Sequence, residues 1–167
     1  MNQRKTKIKL SDESAAPLGC LLGRALLSRE YNSLFYDAKA VELVEKIDYD
    51  FSTSDIPFRG IMFNIFLKGN LPAFDLFTLR AKQFDEKAKA NIAEHPNASV
   101  VNIGAGLDTT FYRVDNGRIH WYDLDLPAVI NVRRQLLPEP ERVTYIAKSL
   151  LDPSWVKDIK HKQVKYS

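Results

Sequence analysis

The residues best suited to chemistry lie together in Gly104-Ala105-Gly106-Leu107-Asp108, directly after the β-branched run Ser99-Val100-Val101-Asn102-Ile103. Glycines at a strand end let the backbone turn sharply and approach a ligand with no Cβ in the way. The next such run closes on Asp123-Leu124-Asp125, with Asp123 19 residues and Asp125 21 residues beyond Gly104. A carboxylate at that place can accept both hydroxyl hydrogens of a ribose. The alternative for Asp125 is a helix cap ahead of Pro127. Glycine turn and strand-end acid together point to a cofactor that contains a nucleoside.

Charge separates two classes of such cofactor. A dinucleotide fingerprint requires Gly-x-Gly-x-x-Gly, whose third glycine permits tight helix–strand packing while the helix N-terminus holds pyrophosphate. Here Thr109 takes the third position and Asp108 stands beside the would-be phosphates. A carboxylate there repels pyrophosphate and suits a cation. S-adenosyl-L-methionine (SAM), with a sulfonium, an ammonium and no phosphate, is favoured over NAD.

These residues need a scaffold. The chain divides near the turn-like His95-Pro96-Asn97, and no internal repeat or low-complexity tract is visible. Upstream the texture is helical. Leu34, Ala38, Val41, Val44 and Ile47 predict an amphipathic helix over roughly 33–47. Ser54, Asp55 and Pro57 open a second helix over the apolar run 58–67, with Asp55 or a neighbour as cap. A long stretch from Pro72 to Glu94 follows, with Leu76, Leu79 and Phe84 facing a core and Lys82, Asp85, Glu86, Lys87 and Lys89 facing water. Downstream, strands are expected over 99–103, 119–122 and 143–147. A helix over 127–137 starts at Pro127, and another opens at Asp152-Pro153. Strands alternating with helices imply a parallel α/β sheet with right-handed crossovers.

The run 101–113, Val-Asn-Ile-Gly-Ala-Gly-Leu-Asp-Thr-Thr-Phe-Tyr-Arg, resembles the signature of the leucine carboxyl methyltransferase family. Tyr122-Asp123-Leu124-Asp125-Leu126-Pro127 resembles its second motif. Leu79-Arg80-Ala81-Lys82-Gln83-Phe84-Asp85 resembles the helix upstream, and Ile146-Ala147-Lys148-Ser149-Leu150-Leu151-Asp152, followed by Trp155, resembles the third motif. The likeness covers roughly 75–160. It implies a Rossmann-like class I methyltransferase sheet and a SAM-dependent O-methyltransferase acting on a carboxylate or hydroxyl. It implies that Arg80 pairs with the cofactor carboxylate, which a planar guanidinium suits. Gly104 and Gly106 would line the methionine part, and Asp125 would hold the ribose. Ser149 and Leu150 fall where the family has an Asp-Leu pair near the adenine, and Ser149 forfeits the charge-assisted bond of that acid. Asp123 is structural or contacts the cofactor indirectly, and Asp108 and Arg113 brace the loop.

Methyl transfer from a sulfonium is an in-line displacement that depends on positioning. A carboxylate acceptor needs no base, whereas a hydroxyl acceptor usually does. His95 precedes a turn proline, His120 lies in a strand, His161 lies in a basic tail, and Tyr112 suits core packing. No catalytic residue is assigned and no metal site is expected. The resemblance implies seven strands in the order 3-2-1-4-5-7-6, yet only 69 residues run from Ser99 onward. The chain is therefore expected to be truncated to about three parallel strands: a helical cap region over 1–95 and the first half of a SAM-binding domain over 96–167. The first strand would be left with an open edge prone to self-association. The alternative is a degenerate, non-catalytic SAM-binding or interaction module.

Composition sets the outer limits. With 167 residues and 45% apolar content the chain can build a core. No run of 18 apolar residues exists, so no membrane span is expected. No apolar segment of signal-peptide type follows the basic start. Cys20 is the single cysteine, which excludes an intrachain disulfide and fits a reducing, cytoplasmic setting. The net charge of +3 belongs to the two ends: residues 10–156 hold 16 bases and 20 acids. Nucleic-acid binding is therefore not expected. The expected methyl acceptor is a small molecule or a protein carboxylate.

Overall fold

A computed structural model of the chain describes residues 6–7, 12–30, 35–48 and 71–159. In chain order the elements are β1 (Thr6–Lys7), α1 (Asp12–Glu30), α2 (Ala38–Lys46), β2 (Ile47–Asp48), α3 (Leu71–Glu94), β3 (Ser99–Ile103), α4 (Phe111–Val114), β4 (His120–Asp125), α5 (Pro127–Leu136) and β5 (Val143–Ala147). A 3-10 helix, Pro153–Asp158, follows. The expected second helix over 58–67 lies outside the described residues.

The three strands read from β-branched runs form one parallel sheet in the order β3-β4-β5. This is a Rossmann-like arrangement, and it agrees with the first three positions of the expected strand order. The carboxyl ends of all three strands lie at one edge, where parallel sheets bind ligands. β4 is the central strand, and four of its six residues are buried. β3 has β4 on one side and, among the described residues, no strand on the other.

One apolar core holds the sheet to the helices, and another joins the helices to the glycine turn. Ile92 of α3, Phe111 and Val114 of α4, Ile130 of α5 and Trp121, Val143 and Tyr145 of the sheet form the first. The other joins Leu18, Leu21 and Ala25 of α1 and Ala40 and Leu43 of α2 to Leu107 and to Val132 and Leu136 of α5. The N-terminal helices thus share a core with the glycine turn.

Four sequence expectations are corrected. The helix predicted over 33–47 begins at Ala38, because the Asp37 side chain accepts the Ala40 N–H at 2.9 Å and caps it there. The helix α1 was not foreseen, although Leu18, Leu21, Leu22 and Ala25 recur at helical spacing. On α3, Lys82, Glu86, Lys87 and Lys89 face water as expected, but Leu79 and Phe84 are exposed and the Asp85 face is buried. An ion pair from Asp85 to Arg113 turns that face inward. The opening at Asp152-Pro153 is a 3-10 helix, with Asp152 accepting the Ser154 N–H.

Among the described residues, no helix is long and apolar enough to cross a membrane. The end of α4 is tied to the start of β5 by Arg142, whose guanidinium donates to both Asp115 oxygens, Nη2 to Oδ2 at 2.5 Å. That bond holds the Asp115 carboxyl below its ordinary range. A carboxylate with a depressed folded value contributes stability that is fully present above the unfolded value and lost as pH falls through the folded one. Asp115→Asn should therefore lower unfolding free energy by about 1–3 kcal/mol at pH 7. In urea titrations the two proteins should converge as pH drops below about 3.9.

Candidate functional site

The turn after β3 is shaped by two glycines in the left-handed region, Gly104 at φ +68° and Gly106 at φ +48°. A Cβ on Gly104 would stand in open space, whereas one on Gly106 would come within 3.3 Å of the Pro17 ring on α1. The Gly104 and Ala105 N–H groups donate to the Leu124 carbonyl at 2.9 and 3.2 Å. The Gly106 N–H donates to Asp125 Oδ2 at 2.7 Å, and the Leu126 N–H to Asp125 Oδ1 at 2.7 Å. Asp125 thus braces the turn. It makes no side-chain cap on α5, whose N-cap position is Leu126. A carboxylate has about four lone-pair sites, so two remain for a ligand.

Beneath the turn sits Arg133 of α5, 2% exposed. Its Nη1 donates to the Gly106 and Asp108 carbonyls at 3.1 and 2.8 Å, and its Nη2 to Asp123 Oδ2 at 2.6 Å. Asp123, with no exposure, also accepts from Asn102 and from the Trp121 indole, each at 2.9 Å. Burial pushes the Asp123 carboxyl above its ordinary range against the pull of Arg133. Asp123 is structural, the first of the two roles expected for it.

A second network closes the other side. Asp37, also without exposure, accepts from Arg113 Nη1 at 2.6 Å and from the Thr109 hydroxyl, and lies 3.4 Å from Arg24 Nε. The Arg113 fork reaches Asp85 of α3 through Nε at 2.6 Å and Nη2 at 3.0 Å. Burial alone would lower the Arg113 pKa, but the bond to Asp85 and the charges of Asp37 and Asp85 outweigh it and raise it. Arg24 of α1 donates to the Leu107 carbonyl at 2.7 Å. Asp108 accepts the Thr110 N–H and hydroxyl, each at 3.1 Å, as a loop brace.

These elements enclose a cavity of about 790 Å³, within the usual range for small-molecule sites. Of the residues expected from sequence, Arg80, Gly104, Gly106 and Asp125 line it together, joined by Arg24, Asn102 and Asp108. Ser149 and Leu150 do not line it. They follow β5, where Ala147 pairs in register with Asp125, and the Ser149 hydroxyl accepts the Leu151 N–H at 3.2 Å. His95, His120 and Tyr112 are not among the lining residues, and His161 lies outside the described residues.

Three residues of the site escaped sequence reasoning: Arg24, Asp37 and Arg133. Arg133 had left a signal. It sits in the apolar stripe of Val129, Ile130, Leu136 and Leu137, where a charge needs a buried partner. Asp37 and Arg24 depended on α1, which was not recognised.

The geometry agrees with the comparison to known proteins. The family model for leucine carboxyl methyltransferase matches residues 18–162, which takes in most of α1, the glycine turn and all three strands of the sheet. The chain belongs to the leucine carboxyl methyltransferase family. It is similar to the tetracenomycin polyketide synthesis O-methyltransferase TcmP of Streptomyces glaucescens, at 32% identity over 150 residues, 89% of this chain and 51% of that protein. It is also similar to the S-adenosyl-L-methionine-dependent methyltransferase dpfgK of Gibberella zeae, at 26% identity over 165 residues, 92% of this chain and 52% of that protein. The chain spans about half the length of these curated relatives.

In a family member built this way, Arg113→Met leaves Asp37 and Asp85 without their main partner. Urea unfolding should show a loss of about 3–5 kcal/mol. Arg29→Met, which breaks the exposed pair with Glu45, should change stability by less than about 1 kcal/mol.

Proposed function

We propose that the chain binds SAM in this cavity and forms the cofactor-holding part of an O-methyltransferase whose acceptor is a carboxylate or hydroxyl. One observation carries the reading: Arg80, Gly104, Gly106 and Asp125, distant in sequence, wall a single cavity. The donor set fits the cofactor. Arg80, with Arg24 nearby in the lining, suits its carboxylate. Asp108 suits a cationic group better than a phosphate, and Asp125 keeps two lone-pair sites for ribose hydroxyls. The open space at Gly104 allows close approach of a ligand to the backbone. The adenine side continues along the carboxyl edge from Asp125 toward Ser149 and Leu150. Bound there, SAM supplies a methyl group on a positively charged sulfur.

The chain's own residues orient and shield. The glycine turn fixes the approach, Arg80 anchors one end, and apolar Leu27, Phe35 and Trp121 in the lining limit water. The relative named as an O-methyltransferase supports an oxygen acceptor. Cys20, an exposed free thiol, is consistent with a reducing, cytoplasmic setting. A second reading, a non-catalytic SAM-binding module, is favoured by Ser149 standing where the family resemblance places an acid. Binding of labelled SAM without methyl transfer to any added carboxylate or phenol would select it.

Thermal unfolding tests the site. S-adenosylhomocysteine at 100 times its Kd should add about 2.7 kcal/mol of stability, and Arg80→Ala should abolish the gain at the same concentration. No stabilisation of the unaltered chain would overturn the reading. The edge of β3 that no described strand covers, where Val100 and Val101 are half-buried and Ile103 is 50% exposed, is proposed to pair with a second copy of the chain. Light scattering should show mass rising with concentration, and a monodisperse monomer would sink that part.

A further inference from the structure

We propose that Arg133 is the positioning residue of the cofactor site, setting affinity for the amino-acid end of the cofactor by locking the peptide groups of the glycine turn. This rests on the reading that the cavity takes SAM. The peptide groups on both sides of Gly106 are held: the Gly106 N–H by Asp125 at 2.7 Å and the Gly106 carbonyl by Arg133 at 3.1 Å. The same Nη1 takes the Asp108 carbonyl at 2.8 Å, so one nitrogen pins two carbonyls two residues apart. Asp123 fixes the guanidinium from a third direction at 2.6 Å. The Tyr145 ring lies 5.0 Å from it, with the Tyr145 hydroxyl anchored on the Leu137 carbonyl at 3.2 Å. A residue in the left-handed region next to an unrestrained carbonyl can exchange one peptide orientation for another. With the carbonyls drawn down toward α5, the turn holds a single arrangement toward the cavity. Arg133 itself does not line the cavity, so it acts through the turn.

Lysine at this position keeps the charge opposite Asp123 but lacks the planar fork that serves three acceptors at once. The experiment compares wild type and Arg133→Lys by calorimetric titration with two probes, S-adenosylhomocysteine and 5′-methylthioadenosine. The second probe lacks the amino-acid end. In the variant, affinity for S-adenosylhomocysteine should fall about tenfold or more while that for 5′-methylthioadenosine stays within about twofold. Amide exchange at Gly106 should accelerate in the ligand-free variant, with β4 and β5 amides unchanged. Equal loss for both probes, unchanged binding of both, or unchanged Gly106 exchange would overturn the assignment. A wild-type chain that binds neither probe would instead overturn the SAM reading itself. If Arg133→Lys loses protection throughout β4, the neutral pair Asp123→Asn/Arg133→Gln carries the same comparison, because it removes both buried charges together.

Discussion

A carboxylate with no access to water must find its partners inside the fold, and Asp37 finds them on four separate segments. It caps its own helix through the Ala40 N–H, accepts from Thr109 and Arg113, and lies beside Arg24. Thr109 and Arg113 belong to the glycine turn and to α4, more than 70 residues downstream. An unpaired buried charge would be strongly unfavourable. The N-terminal helices and the turn therefore order together. Arg113 extends the restraint to Asp85, five residues along α3 from Arg80, so the cation at the cavity wall and the glycine turn share one brace.

The turn is held from below by a second buried pair, Arg133 with Asp123. The two networks interleave on the same short loop, with Arg24 of the Asp37 network taking the Leu107 carbonyl between the two that Arg133 holds. Arg133 takes the Gly106 and Asp108 carbonyls, whereas the Asp37 network takes Thr109. A loop of two left-handed glycines is otherwise among the least restricted stretches of a chain. Here every polar interaction described for it removes an alternative conformation, which is what a binding surface made of backbone requires. Ligand sites on parallel sheets depend on such pre-organisation because strand ends alone supply little shape.

Much of the sheet was legible in the sequence. The β-branched runs at 99–103 and 143–147 coincide with β3 and β5, because fully or half-buried parallel strands must be apolar over their length, while the run expected over 119–122 starts one residue later and continues through Asp123 to Asp125 as β4. The glycine turn was legible for the same local reason. The face of α3 was not. Leu79 and Phe84 read as core, but the ion pair of Asp85 with Arg113 rotates the helix so that they remain exposed. The roles of Asp123 and Asp125 were separable only in three dimensions. Two residues apart on one strand, the first sits within the sheet against Arg133 and the second at its carboxyl end beside the Gly106 N–H.

The sequence by itself determined the three strands, the order of the motifs and the family, since each rests on local spacing or on a run of neighbouring residues. Tertiary structure alone decided which charges meet. Arg24, Asp37, Asp85, Arg113, Asp123 and Arg133 lie on six separate segments. An ion pair between segments leaves no periodic trace in the chain, because its partners are joined by packing across the core rather than by position along the backbone.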